Sequence, residues 1–336
     1  TTLPSWPSFS EDEAQVVQNI LLSNKVNYWT GKECTLFEKE FCEWIDCKYS
    51  ISVANGTLAL DLALHALGIG NGDEVIVTPR TFIASVSCVV NRGAIPVFAD
   101  VDLNSQNITA ESILESISQK TKAIIVVHLA GMPAEMDAIM SLAKEYNLFV
   151  IEDCAQAHGA KYKGKSVGSL GHIGAWSFCQ DKIMTTGGEG GMVTTNDKNL
   201  WEKMWSFKDH GKSYYAVQKA KEQKNSRFQW VHESFGTNYR MLEIQAGIGR
   251  HQLKKMSEWT FIRQKYCDAI NLVAKEFSFL RTIKIPEYIN HACYKHYIFI
   301  NKDSLSSRWN RDLILEEIKK MNIPCFQGSC SEVYLE

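Results

Sequence analysis

The feature that most constrains the fold is an alternation of short apolar runs and helical stretches over residues 49–153. The apolar runs read YSISVAN, EVIVTP, IPVFADV, AIIVVHLA and LFVIED, and segments such as GTLALDLALHALGI and PAEMDAIMSLAKEYN separate them with helical periodicity. Strands that are apolar almost throughout are buried on both faces, which is typical of a mostly parallel sheet with helices on each side. The sequence therefore predicts an α/β fold.

The segments around this region predict two domains, as the length of 336 residues also suggests. Near the N-terminus, Ser10 and Glu13 have the spacing of a helix capping box, and CTLFEKEFCEWI continues with a second amphipathic helix. After residue 250 the text changes to a long helical stretch, short strands such as YKHYIFIN and the helix RDLILEEIKKMNI. We expect a large domain over residues 1–250 and a smaller α+β domain over residues 251–336.

Composition excludes several classes of function. A formal net charge of -2 with mixed acidic and basic residues provides no field for nucleic acid or an anionic membrane. The apolar runs fall short of the roughly 20 residues of a membrane span, and no secretory signal is visible. The ten cysteines contain no C-x-x-C pair, so we expect reduced thiols and no metal site. A cytoplasmic protein follows, with neither nucleic acid nor membrane as a partner.

Ligands of such sheets bind beyond the carboxyl ends of the strands, so the residues that follow each strand carry the functional prediction. Gly56 and Thr57 begin a helix directly after a strand. Free backbone N–H groups, a hydroxyl and the helix dipole suit an anion there. An ordinary strand-to-helix turn explains the pair equally well.

Two further strand ends carry candidate groups. Asp153, followed by Gln156, ends LFVIED, and a buried carboxylate needs a hydrogen-bonding or charged partner. One such partner is a protonated pyridine nitrogen; the simpler interpretation is a cap on the next turn. Phe82, in PRTFIAS, has the position to stack on a flat ring, although such a phenylalanine more often belongs to the core.

A lysine and a glycine cluster complete the pattern in SFCQDKIMTTGGEGG. Lys182 is able to form a Schiff base with an aldehyde cofactor and then shuttle a proton, while Ser177 offers a hydroxyl to a phosphate. A single lysine is ordinarily a solvated side chain. Taken in order, these groups fit pyridoxal 5′-phosphate (PLP).

Two other motifs favour ordinary structure. Residues 159–166, GAKYKGKS, match the phosphate-loop pattern, but no strand directly precedes them and no helix follows, so we expect an exposed hairpin. The basic segment 208–227 is interpreted as a solvated loop or short exposed helix, with a contact to a nucleotide diphosphate as the alternative.

The chain resembles the DegT/StrS family of sugar aminotransferases along essentially its whole length. The motifs occur in the order YWTG, FEKEF, NGTLAL, GDEVIVTP, TFIAS, EDCAQAHGA, SF…K…GEGG, GTNYRMLEIQA and IPCF. The resemblance implies the fold type I architecture of PLP-dependent transferases: a large, mostly parallel sheet domain between helices and a smaller α+β C-terminal domain. It also implies that the small domain is incomplete, because family members continue beyond SCSEVYLE.

The same resemblance implies a role for each candidate. It assigns the cofactor to eight residues: Gly56, Thr57, Phe82, Asp153, Gln156, Ser177, Lys182 and Asn238. Lys182 is implied as the Schiff-base lysine and general acid/base, with Asp153 as the catalytic partner of the ring nitrogen. Asn238 matches a position that reaches the phosphate from the neighbouring subunit, so the implied enzyme is a homodimer with shared active sites. Arg240 is implied near the same interface, with a role in substrate binding.

The implied reaction moves an amino group from an amino acid, with glutamate expected, to a keto carbon of a nucleotide-linked keto-deoxy sugar in polysaccharide or glycoconjugate synthesis. A sibling subfamily of dehydratases has histidine at position 182, so Lys182 favours transamination. A dehydratase and a non-catalytic regulator remain the alternatives. Two departures limit the analogy: Asn55 replaces the usual serine before Gly56, and six residues, 183–188, separate Lys182 from Glu189 where many members have five. We therefore expect sugar specificity to differ from that of better-known members.

Overall fold

The computed structural model describes residues 6–223, 230–328 and 332–336, which form one large sheet, two small sheets and the helices around them. The helices are α1 Glu11–Leu22, α2 Glu33–Ile45, α3 Gly56–Ala66, α4 Ala84–Asn91, α5 Ala110–Ser116, α6 Met136–Glu145, α7 Lys198–Lys208, α8 Tyr214–Gln223, α9 Glu243–Leu253, α10 Met256–Ala274 and α11 Arg311–Lys320. The strands are β1 Tyr49–Val53, β2 Glu74–Val77, β3 Ile95–Phe98, β4 Thr121–Val127, β5 Phe149–Asp153, β6 Lys161–Tyr162, β7 Lys165–Ser166, β8 Ile173–Ser177, β9 Gly191–Thr195, β10 Leu280–Thr282, β11 Ile289–Asn290 and β12 Ile298–Ile300.

The large sheet has seven strands in the order β1-β9-β8-β5-β4-β2-β3. Strand β9 runs antiparallel to both neighbours, and the other six strands share one direction. The carboxyl ends of β1, β2, β4, β5 and β8 therefore lie along one edge of the sheet. This architecture confirms the predicted α/β class with a mostly parallel sheet.

Successive side chains of a strand point to opposite sides, and the sheet is buried on both faces except at the edge strand β3, where Ile95 and Phe98 are exposed although their run predicts burial. In β2, Val75 and Val77 pack in one core cluster with Leu60 of α3, whereas Ile76 packs in another with Ile139 of α6. This two-sided burial explains why the strands read as continuous apolar runs. At the N-terminus the predicted capping box is present, since the Glu13 carboxylate accepts from the backbone and the side chain of Ser10.

The phosphate-loop pattern at residues 159–166 is a hairpin, as predicted. Strands β6 and β7 pair antiparallel around Lys163 and Gly164, which both adopt positive φ. Tyr162 is buried, because β6 also pairs with β11 from the C-terminal region. The hairpin thus pairs with the C-terminal region of the chain.

The C-terminal region contains α10, α11 and the antiparallel pair β10 and β12, which gives the predicted α+β composition. The predicted boundary at residue 250 lies inside α9, and the break between α9 and α10 comes at residues 254–255. In the described part of the chain, no helix combines the length and apolarity that a membrane crossing requires.

The basic segment 208–227 differs from its prediction at one end. Lys208 is the last residue of α7 and is fully buried, with its Nζ 3.6 Å from the centroid of the Tyr28 ring. The expectation of a solvated side chain is therefore wrong for Lys208. Helix α8 supplies the predicted short helix, and positions 224–227 lie outside the described residues.

Candidate active site

The turn from β1 into α3 brings two predicted phosphate contacts together. Asn55 caps the helix by accepting a bond from the Leu58 N–H at 2.9 Å, so the amides of Gly56 and Thr57 at the helix start have no intrahelical acceptor. A Cβ built on Gly56 would lie 2.5 Å from the Ser177 Cβ. Only glycine permits this approach, which places Ser177 at the end of β8 beside the start of the helix. Thr57 is exposed at the same turn.

Asp153, at the end of β5, is 7% exposed and receives two hydrogen bonds from neutral donors. The Ser85 hydroxyl donates to Oδ2 at 2.7 Å, and the Ala155 N–H donates to Oδ1 at 3.1 Å. Burial raises the pKa of Asp153, against the opposing effects of these bonds and of the positive charge on Lys182. A buried carboxylate in this state is stabilised by a cationic partner. The site therefore suits a protonated ring nitrogen.

Phe82 follows β2 and Gln156 follows β5, at the same edge of the sheet as Asp153. Phe82 is 63% exposed, so the core interpretation of this phenylalanine is wrong and its ring is accessible to a ligand. Gln156 is buried, and its Oε1 accepts a 2.6 Å bond from the N–H of Ala130, which follows β4 with φ of 56°. The carboxamide is thus held at the ligand edge of the sheet.

Lys182 lies in the loop between β8 and β9. Its side chain is only 15% exposed, which excludes the ordinary solvated lysine. Its Nζ lies 3.2 Å from Oδ2 of Asp181, and its backbone N–H donates to the Cys179 carbonyl. The charge of Lys182 opposes the effect of burial on the pKa of Asp153. Burial lowers the pKa of His158 to about 3, and the charge of Lys182 acts in the same direction. These effects indicate that lysine and carboxylate share one electrostatic environment.

Asn238 and Arg240 lie beside the carboxyl end of β1. Arg240 forms a bridge with Val53, and Asn238 is exposed next to it. The Arg240 Nη1 donates to the buried Asp209 at 2.8 Å, so this guanidinium is held by an internal ion pair. The structure gives Arg240 a partner that sequence reasoning did not identify.

Three further residues at the site, Ser85, Asp181 and Tyr294, were not predicted from the sequence. Ser85 lies four residues after Thr81, and their hydroxyls are 2.8 Å apart. Two hydroxyl residues at this spacing after a strand were a sequence signal that could have indicated this contact. Tyr294 donates its hydroxyl to Asp181 from the C-terminal region, and no local signal indicated this contact.

A buried cluster beneath the site has a structural explanation. His128, Glu152 and Cys154 bring candidate ligand atoms within 4.8 Å of one another. Both oxygens of Glu152 are already occupied: one accepts from His128 and the Gly168 N–H, and the other from the N–H groups of Leu170 and Gly171. The Glu152 carboxylate therefore holds the loop before β8 in place, and its oxygens are not available to a metal ion.

A comparison with protein families decides the identity: the model of the DegT/DnrJ/EryC1/StrS aminotransferase family matches residues 7–327. The chain belongs to this family. Its sequence is 43% identical to GDP-perosamine synthase of Escherichia coli O157:H7 over 266 residues, which are 78% of this chain and 68% of that protein. It is 44% identical over 223 residues to dTDP-3-amino-3,6-dideoxy-alpha-D-galactopyranose transaminase of Aneurinibacillus thermoaerophilus, covering 66% of this chain and 57% of that protein.

A solved structure agrees with this membership. The aminotransferase from Psychrobacter cryohalolentis is 59% identical, and it superposes with a TM-score of 0.95 over 99% of this chain and 86% of that chain. The predicted resemblance to a family of sugar aminotransferases with the fold type I architecture is confirmed.

The predicted phosphate site leads us to expect that Gly56→Ala weakens binding of PLP at least about tenfold, because the new methyl group would displace Ser177. Equilibrium titration with PLP measures the effect. The control is Gly70→Ala, where a Cβ would lie at an ordinary contact distance of 3.7 Å from the Arg92 carbonyl oxygen. Unchanged affinity in Gly56→Ala would contradict the predicted phosphate site at Gly56 and Ser177.

Glu152→Ala is expected to lower the free energy of unfolding of this aminotransferase by about 3–5 kcal/mol, because His128 and three backbone N–H groups lose their buried acceptor. Denaturant titration tests this, with Glu145→Ala on the exposed surface of α6 as the matched control at under about 0.5 kcal/mol. Equal effects of the two substitutions would rule out the anchoring role.

Proposed function

We propose that this chain is a PLP-dependent aminotransferase that moves an amino group from an amino acid, glutamate, to a keto carbon of a nucleotide-linked keto-deoxy sugar. The arrangement that carries the proposal is geometric: the shielded Lys182 follows β8, the buried Asp153 ends β5, and Gly56 meets Ser177 at the same edge of the sheet. A lysine and a buried carboxylate at one edge of a sheet suit a reaction in which the lysine amine binds the cofactor and the carboxylate holds a proton at the far side of the cofactor ring.

The residues present fit the cofactor. When bound, PLP supplies an aldehyde that captures amines and a ring that accepts electrons. The helix amides at Gly56 and Thr57, with the Ser177 hydroxyl, would hold its phosphate. Asp153 would keep a proton on the ring nitrogen, since its burial favours a cationic neighbour.

The remaining contacts orient the ring and move the proton. Phe82 would cover one face of the ring, and Gln156, fixed by Ala130, would contact the ring hydroxyl. Lys182 would hold the cofactor covalently and, once released, carry a proton between the two carbon atoms that exchange the amine.

The sugar acceptor is proposed as a class. The two named relatives act, by their names, in the chemistry of a GDP-linked and a dTDP-linked amino sugar, so they differ in the nucleotide. The loop after Lys182 also accommodates its six residues with positive φ at Gly187 and Gly188.

We further propose a homodimer in which Asn238 of the partner subunit completes the phosphate site. Support comes from the exposure of the segment that carries this residue: Phe235 is fully exposed, and Leu242 is half exposed. Exposed apolar side chains beside an exposed polar group are typical of a surface that another chain covers.

The experiment combines the purified chain, PLP and isotopically labelled glutamate with GDP-linked and dTDP-linked keto-deoxy sugars, and follows the label by mass spectrometry. We expect labelled nitrogen in one nucleotide sugar and an equal amount of 2-oxoglutarate. Loss of a hydroxyl without nitrogen incorporation would indicate the dehydratase, the second candidate, and no change in either sugar would contradict the proposal. Lys182 favours transamination over that candidate.

A further inference from the structure

A tyrosine from the C-terminal region reaches the catalytic lysine. The Tyr294 hydroxyl donates to Oδ2 of Asp181 at 2.5 Å, and the same oxygen lies 3.2 Å from the Nζ of Lys182. The Lys182 ammonium also lies 5.4 Å from the centroid of the Tyr294 ring. The amine of Lys182 therefore lies next to one carboxylate oxygen and one aromatic ring.

The position of Tyr294 is fixed by backbone contacts rather than by the Asp181 bond alone. Its N–H donates to the Ala130 carbonyl at 3.0 Å, and the Ala292 N–H donates to the Gly131 carbonyl at 2.9 Å. Ala130 in turn donates its own N–H to Gln156. The segment that presents the tyrosine is thus docked on the same turn that holds a proposed cofactor contact.

The chemistry of the three groups is complementary. A carboxylate and the negative face of an aromatic ring both stabilise an ammonium ion. The Tyr294 hydroxyl helps to hold the pKa of Asp181 below its usual value, together with the charge of Lys182, so the carboxylate stays ionised. Asp181 alone is half exposed, and it needs this second contact to keep one orientation.

We propose that Asp181 and Tyr294 are positioning residues that hold the side chain of Lys182 in place whenever it is not bound to the cofactor. The inference rests on the proposed function, because a lysine that is alternately bound and released needs a defined position in its released state. Tyr294 thereby makes the C-terminal region a part of the catalytic machinery.

The test measures the reactivity of Lys182 in the chain of 336 residues without cofactor. Reductive methylation with formaldehyde and cyanoborohydride at neutral pH, followed by peptide mass spectrometry, gives a rate for each lysine. Asp181→Asn removes the carboxylate that holds the amine 3.2 Å away, so the side chain is free to leave this position and meet the reagent, and we expect labelling of Lys182 to rise about three- to fivefold. Tyr294→Leu removes the ring and the hydroxyl and should give a rise at least as large, whereas Tyr294→Phe keeps the ring and should give a smaller one.

The matched control is a remote pair of the same kind. Lys163 contacts Asp137 on the exposed surface, and Asp137→Asn should change labelling of Lys163 while leaving Lys182 unaffected. Equal Lys182 rates in the wild type, Asp181→Asn and Tyr294→Leu would overturn the inference. A parallel rise at Lys163 in these two variants would also overturn it, since it would show general loosening of the chain.

The assay separates this inference from the proposed function because labelling requires no cofactor binding. A protein that transfers amines but shows no response of Lys182 refutes the positioning role alone. A protein whose Lys182 responds but which transfers no amine refutes the proposed function alone.

Discussion

Replacing Lys182 with alanine is expected to reduce amine transfer by about a thousandfold or more, because in the proposed function this one side chain would both hold the cofactor covalently and move the proton. The fold should survive, since the backbone bonds of residue 182 to Cys179 and from Trp6 do not involve the side chain. Steady-state turnover with glutamate and the keto sugar measures the loss, and the melting temperature reports on the fold.

The control for this substitution is Lys161→Ala in the exposed hairpin, which should retain full activity. Both variants remove one positive charge, so a general electrostatic effect would appear in each. Turnover that persists in Lys182→Ala at the wild-type rate contradicts the assigned role.

Asp153→Asn is the second substitution with a large expected effect, a loss of about a hundred- to a thousandfold in turnover, together with weaker binding of PLP. The asparagine has the same shape and can keep a hydrogen bond with Ser85, but it lacks the charge that is proposed to hold a proton on the ring nitrogen. Kinetics and cofactor titration measure the two effects separately.

Ser85→Ala serves as the comparison, because it removes one hydrogen bond to Asp153 and leaves the charge. We expect a loss of about tenfold, in line with one hydrogen bond to a charged group. If Asp153→Asn is no worse than Ser85→Ala, the carboxylate charge does not have the role proposed here.

The sequence predicted those parts of the fold that local patterns determine. Continuous apolar runs gave β2, β4 and β5, because two-sided burial leaves a pattern in every strand. The position of Asp153 followed directly, since it ends such a run at the ligand edge of a parallel sheet. The direction of β9 did not follow, because its pairing depends on how the loop from β8 returns.

The parts that the sequence could not predict depend on distant contacts. Tyr294 and Asp181 are 113 residues apart and meet only because the C-terminal segment docks on Ala130 and Gly131. Lys208 belongs to a basic run that reads as solvated, yet it is fully buried with its Nζ against the Tyr28 ring, and burial lowers its pKa against the opposing charge of Glu38. Burial of a lysine against residues that are distant in the sequence leaves no signal in its own neighbours along the chain.

The visible absorbance of the full chain loaded with PLP tests the central claim most directly. The account predicts a yellow protein whose absorbance band disappears when glutamate is added, and a Lys182→Ala variant that lacks the band of the lysine adduct. A chain that stays colourless after incubation with PLP, or a band that no amino acid changes, would contradict it.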